Sequence, residues 1–167
     1  MRSAAAFAVL LLGGCFTDGP VGMFPGGRLR GESGPCPGPG DWERFRETEE
    51  SELEVRPARP RSVRTWNVVH DGVLHLPADF LTPIKRWPYQ VQDDPNVRVR
   101  IDGETFACRA ARVIDPGSVE ALRLATGTKY GIEPDSRAAR VEVWWFRLDP
   151  RDEADREDDA TRGRSPR

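Results

Sequence analysis

The chain has 167 residues, enough for one ordinary domain and too few for two of typical size. Its 27 acidic and 25 basic residues leave a formal charge of −2, which excludes the cationic surplus a nucleic-acid binder needs. Hydrophobic residues make up 38% and charged ones 31%, and the 16 Gly and 15 Pro are concentrated in particular stretches.

Met1-Arg2-Ser3 carries positive charge, Ala4 to Leu12 is an uninterrupted apolar run, and Gly13, Gly14 and Cys15 follow. As a helix this run spans roughly 14 Å, about half a bilayer core, too short to cross a membrane. A charged start, a short apolar middle and small residues before a cut site are the parts of a secretory signal. Leu12-Gly13-Gly14-Cys15 resembles the bacterial lipobox, and on that resemblance residues 1–14 are removed and Cys15 becomes the acylated first residue. The alternative is an ordinary signal peptide with Cys15 near the cut by chance. Acyl chains supply about 0.8 kcal/mol per buried methylene, so a multiply acylated cysteine holds firmly to a membrane. Phe16 rather than Asp follows the cysteine, which on the same resemblance implies the outer membrane, facing the periplasm.

From Phe16 to Gly40, thirteen of twenty-five residues are Gly or Pro. Such a stretch buries too little apolar surface to offset its ordering entropy, so residues 15–40 read as a lipidated cysteine and a tether. Residues 41–148 hold all five tryptophans and form the predicted domain. Residues 149–167 contain twelve charged residues among nineteen and read as a disordered, solvated tail.

Within the domain, Leu53 and Val55 before Pro57 suggest a first strand. Arg61 to His70 is rich in β-branched and aromatic residues, and Asp71-Gly72 is a hairpin turn because both positions accept positive φ. Val73 to Leu76 is then the return strand, closed by Pro77. A short helical turn fits Trp87 to Asp93 before Asp94-Pro95. Val97, Val99 and Ile101 alternate with Arg98 and Arg100, Asp102-Gly103 is a second hairpin turn, and Glu104 to Ile114 pairs back. Asp115-Pro116-Gly117-Ser118 starts a helix in which Val119, Leu122 and Ala125 recur until Gly127 stops it. The last strand, Ala138 to Leu148, is apolar on both faces, which implies packing between a barrel wall and a helix or partner. These elements predict a mainly β fold, a small closed or half-closed barrel with one or two short helices.

The order Trp66-Asn67-Val68-Val69-His70-Asp71-Gly72-Val73-Leu74-His75-Leu76-Pro77, then Lys85-Arg86-Trp87, then Asp94 to Gly103, is similar to split β-barrel flavoproteins. It resembles most the pyridoxamine-phosphate-oxidase-like group and its relatives, the deazaflavin-dependent nitroreductases, over about Val63 to Asp115. The resemblance implies a six-stranded split barrel, often dimeric, with FMN or a deazaflavin at the dimer seam. The basic-Ser-Gly stretch that many deazaflavin members place near the cofactor phosphate is missing before Trp66.

A flavin phosphate needs two or three convergent cationic donors. Lys85, Arg86, Arg98, Arg100, Arg109 and Arg112 lie near strand ends, and Arg98 and Arg100 share one strand face about 7 Å apart. The alternative for this pair is a solvated face whose stems cover apolar surface. Trp87 either stacks on an isoalloxazine ring or plugs the barrel. Lys85, Arg86, Trp87, Arg98 and Arg100 are therefore the cofactor-binding candidates. His70 and His75 lack the acidic or Cys partners of a metal site, so no metal is predicted. No Ser sits in a Gly-x-Ser-x-Gly turn and no catalytic residue is identified. Cys36 and Cys108 either pair in an oxidising compartment or never meet. The resulting expectation is a lipid-anchored envelope protein with a flavin-binding-like barrel, a small-molecule ligand and a homodimeric state. Its barrel either reduces small compounds or serves as a non-catalytic binding or scaffolding module.

Overall fold

The computed structural model describes residues 18–56, 58–80 and 85–152. Strands β1 (Gly34–Pro35), β2 (Glu50–Val55), β3 (Arg61–Trp66), β4 (Val68–His70), β5 (Val73–Asp79), β6 (Asn96–Ile101), β7 (Glu104–Val113) and β8 (Val143–Pro150) are joined by helices α1 (Trp87–Asp93) and α2 (Pro116–Tyr130). Single 3-10 turns lie at Asp41–Phe45 and Ala138–Arg140. The sheet runs β3-β2-β6-β7-β8-β5-β4 in antiparallel pairs, and β1 adds to β7 in parallel.

β3 and β4 are the two edges of this path, yet they are consecutive in the chain with only Asn67 between them. The sheet curls until one bent strand serves both edges, so the barrel is bridged by the chain itself while its hydrogen-bond ladder stays open. Counted that way the barrel has six strands, a split barrel. The Thr65 hydroxyl donates to the Pro77 carbonyl at 3.2 Å across the gap. The corner at Asn67 is buried and held by the end of α2. The Tyr130 hydroxyl accepts from the Asn67 N–H at 3.0 Å and reaches the Asn67 carbonyl at 2.7 Å, while Lys129 Nζ donates to Thr48 O at 2.6 Å and Asn67 Oδ1 at 3.2 Å. Burial pushes the Tyr130 phenol up to about 12. Tyr130→Phe leaves the Asn67 N–H unpaired and is expected to lower stability by about 1–2 kcal/mol, read as a shift in the urea midpoint.

Both Asp-Gly turns form as expected, with φ of 49° and 73° at Asp71 and Gly72 and 48° and 81° at Asp102 and Gly103. Gly72 is required twice over, because a Cβ there would also lie 2.7 Å from the Gly40 backbone nitrogen, which donates to Gly72 O. Inside the barrel, Leu53, Val97, Val99, Phe106, Phe146 and Leu148 form one core with Trp42, to which α1 adds Trp87 and Val91. Outside it, Leu122 of α2 packs on Val68 and Trp145, so the second apolar face of β8 is covered by a helix.

Four expectations are corrected. Helix α2 does not stop at Gly127 but runs to Tyr130 and ends at Gly131 in the left-handed region, φ 61°. Buried Leu122 and Thr126 and the anchored Lys129 and Tyr130 outweigh the ~1 kcal/mol cost of an interior glycine. The final strand begins at Val143, since Ala138–Arg140 forms a 3-10 turn, and it continues to Pro150. The described part of the Gly/Pro-rich tether, residues 18–40, is a strap on the sheet: Leu29 is buried, β1 pairs with β7, and a disulfide joins Cys36 to Cys108. Composition misses this because the strap is held by polar contacts and one covalent bond rather than by apolar area. The fold also extends past residue 148, where buried Arg151 donates to Cys108 O at 3.0 Å and Val97 O at 2.7 Å. The leader, Cys15 and residues 153–167 lie outside the described residues.

Candidate functional site

Alternation along β6 turns Val97, Val99 and Ile101 inward and Arg98 and Arg100 outward, under the strap. Each arginine faces an acid across the β2–β6 ladder, where Glu54 pairs with Arg98 and Glu52 with Arg100. Arg98 donates to Glu54 Oε2 at 2.9 Å, Ser33 Oγ at 2.6 Å, Leu29 O at 2.7 Å and Gly31 O at 2.8 Å. Arg100 donates to Glu52 Oε2 at 2.7 Å and to Asp18 at 2.9 and 3.1 Å. Both guanidinium forks are thus engaged by carboxylates and carbonyls, which does not fit the cradle of a phosphate. Trp87 is in the core, its ring 5.2 Å from that of Phe146. The five residues singled out by sequence therefore do not form one site: Arg98 and Arg100 bolt the strap outside, Trp87 plugs the inside, Lys85 pairs with Asp79 at 2.6 Å, and Arg86 is exposed at the start of α1.

The inward positions of β7 and β8 lead to a different group. Phe106, Cys108 and Ala110 on β7 are buried, as are Leu148 and Phe146 on β8, and the next inward positions toward the barrel end are Arg112 and Trp144. The Arg112 guanidinium lies 3.6 Å over the Trp144 ring. Trp144 meets Phe80 at 5.0 Å and Tyr89 at 5.1 Å, and Phe80 meets Tyr89 at 6.2 Å, all edge to face. Tyr89, on α1, remains 51% exposed. The barrel mouth thus presents three aromatic rings and a cation, with the Lys85–Asp79 pair beside them on the same connection from β5. Barrel mouths are recurrent ligand sites, and such rings offer a planar ligand stacking and edge contacts while the cation attracts negative charge. Arg112 is one of the cations the sequence picks out. Phe80, Tyr89 and Trp144 escape it, although the inward series Leu148, Phe146, Trp144 was the signal for the last of them.

The two histidines line a surface groove of about 520 Å³ with Arg147 and the start of α2. Their rings are 6.5 Å apart. Asp115 already caps the helix, accepting from Ser118 N at 2.8 Å and Ser118 Oγ at 2.9 Å. No cluster of three metal-ligating side chains occurs among the described residues. Burial lowers the His75 imidazole to about 4, against the opposing pull of the Val73 carbonyl 3.0 Å from Nδ1. Its folded value lies below the unfolded one near 6.5, so the unfolded chain binds the proton first as pH falls. Stability is therefore expected to decline from about pH 6.5 to about pH 4 through this group. A His75→Gln chain should lose that part of the slope when melting temperature is followed against pH.

No protein-family model and no curated protein matches the chain. Among solved structures, a conserved hypothetical protein from Mycobacterium tuberculosis is similar with a TM-score of 0.53 and 16% identity, over 74% of this chain and 87% of that one. A structure from Listeria innocua named for pyridoxamine 5′-phosphate oxidase gives a TM-score of 0.47 and 17% identity, over 62% and 85% of the two chains. One named F420-H2 dependent reductase gives 0.47 and 14%, over 60% and 94%. At these identities the likeness is one of fold.

Proposed function

We propose that the protein is a lipid-anchored component of the bacterial envelope whose split barrel binds a planar, anionic small molecule of the flavin or deazaflavin type at the barrel mouth. The observation that carries the ligand reading is the Phe80–Tyr89–Trp144 cluster with Arg112 stacked on it. Export is supported by the Cys36–Cys108 disulfide, a bond that persists in oxidising compartments, and by the lipobox-like sequence ending at Cys15.

The exposed Tyr89 ring would lie against the conjugated system and Arg112 would meet its negative charge; when bound, such a group supplies redox chemistry. The proposal is one of binding and assigns no catalytic residue. Titration of the full chain with FMN, and separately with a deazaflavin cofactor, is expected to quench tryptophan fluorescence saturably. Arg112→Ala is expected to weaken binding roughly tenfold, ~1.4 kcal/mol. A flat titration with both compounds, or affinity unchanged in Arg112→Ala and Trp144→Ala, rejects the site. The anchor is tested apart from it: Cys15→Ser should abolish incorporation of labelled palmitate.

A further inference from the structure

The start of the strap carries an apolar tip that nothing in the described chain covers. Val21 and Phe24 exchange backbone hydrogen bonds at 3.1 and 3.0 Å, closing a tight turn whose side chains face solvent: Val21 is 61% exposed, Met23 99% and Phe24 78%. The turn is firmly based. At its neck Gly26 lies so close to Gly19 that a Cβ would fall 1.9 Å from the Gly19 carbonyl oxygen, and Gly26 and Ser62 exchange hydrogen bonds at 2.9 and 3.0 Å, fixing the neck to β3. Asp18, just before it, is held by Arg100. Beside the neck, Pro25 and Gly26 share a groove with Arg56, Arg59 and Arg61, and no ion pair among the described residues engages those three arginines. The tip lies six to nine residues after Cys15.

We infer that the Val21–Phe24 turn is a membrane-contact tip, entering the interface of an anionic bilayer while Arg56, Arg59 and Arg61 meet headgroup phosphates. Apolar side chains with arginines beside them are the composition of interfacial contact sites, where apolar burial and attraction to anionic lipid add. A rigid turn loses little conformational freedom on entry, and its seat at the start of the fold would set the orientation of the barrel on the surface. The contact goes beyond the anchoring reading and does not depend on acylation, which tethers the chain without orienting it.

The chain has two methionines, Met1 and Met23, so oxidation at Met23 reports on the tip directly. The full chain is treated with hydrogen peroxide alone and with vesicles of phosphatidylethanolamine and phosphatidylglycerol, and Met23 sulfoxide is measured by peptide mass spectrometry. Oxidation is expected to slow at least about threefold on the vesicles. The slowing should be lost in Phe24→Asp and in the Arg59→Glu/Arg61→Glu chain. Equal oxidation with and without vesicles overturns the inference, as does protection that persists in both variants or that disappears on dilution at constant lipid, which would mark a second copy as the occupant. Vesicle flotation of the same samples reports attachment separately. A chain that floats with Met23 unprotected refutes the tip and leaves the anchor standing.

Discussion

Arg98→Ala is expected to lower the stability of the full chain by about 3–5 kcal/mol, the cost of removing one member of a buried ion pair. Glu54 is 2% exposed, and among the described residues its Oε2 is served only by Arg98 and by the Leu29 N–H at 2.6 Å. Losing the guanidinium strands that carboxylate and also strips hydrogen bonds from Leu29 O, Gly31 O and Ser33 Oγ, so the strap loses its main polar fastening. Arg98→Met combined with Glu54→Leu should recover only part of the loss, because it removes the stranded carboxylate but leaves the buried Leu29 N–H and carbonyl without these partners. Arg100→Ala should cost only about 1 kcal/mol, since Glu52 and Asp18 are reached by solvent and can hydrate. Urea unfolding of the four chains checks this ordering. A phosphate-binding role for Arg98 predicts the reverse: a stable Arg98→Ala chain with weakened ligand.

Why the sequence misassigned this arginine has a physical answer. The alternation Val97-Arg98-Val99-Arg100-Ile101 fixes which side chains face outward but not what lies over them, and the covering strap comes from a stretch whose composition resembles a linker. Local signals did carry the fold. The two Asp-Gly turns, the period-2 runs on β6 and β7 and the Asp115 cap are decided within a few residues, and each forms. Helix α2 ends late because its last turn is held by Asn67 and Thr48, partners 62 and 81 residues away that no window around Gly127 contains. The same non-locality hides the mouth. Phe80, Tyr89, Arg112 and Trp144 belong to four different elements or connections, and only the curl of the sheet brings them together. Trp87 was legible only as a choice between plug and stacking platform, and burial beside Phe146 decides for the plug.

Opening the Cys36–Cys108 disulfide is the second large effect expected. The bond spans 72 residues, and closing a loop of that length removes enough freedom from the unfolded chain to contribute about 4 kcal/mol in the chain-entropy model. Cys108 is fully buried and Cys36 nearly so, hence dithiothreitol should reach the bond only through opening of the strap. The Cys36→Ala/Cys108→Ala chain avoids that barrier and should show the loss at once as a lower urea midpoint. Because Arg98 and the disulfide fasten the same strap, their losses should not add: with the bond open, the strap is already partly released and Arg98→Ala has less left to remove. A loss of about 4 kcal/mol is a large share of the stability of an ordinary domain, commonly 5–15 kcal/mol, so a chain made under reducing conditions would be markedly less stable. This ties the fold to the proposed export, since the strap reaches full strength only where thiols oxidise. If the midpoint is the same with and without the disulfide, the strap is held by its polar contacts alone, and the argument from this bond to an oxidising compartment fails.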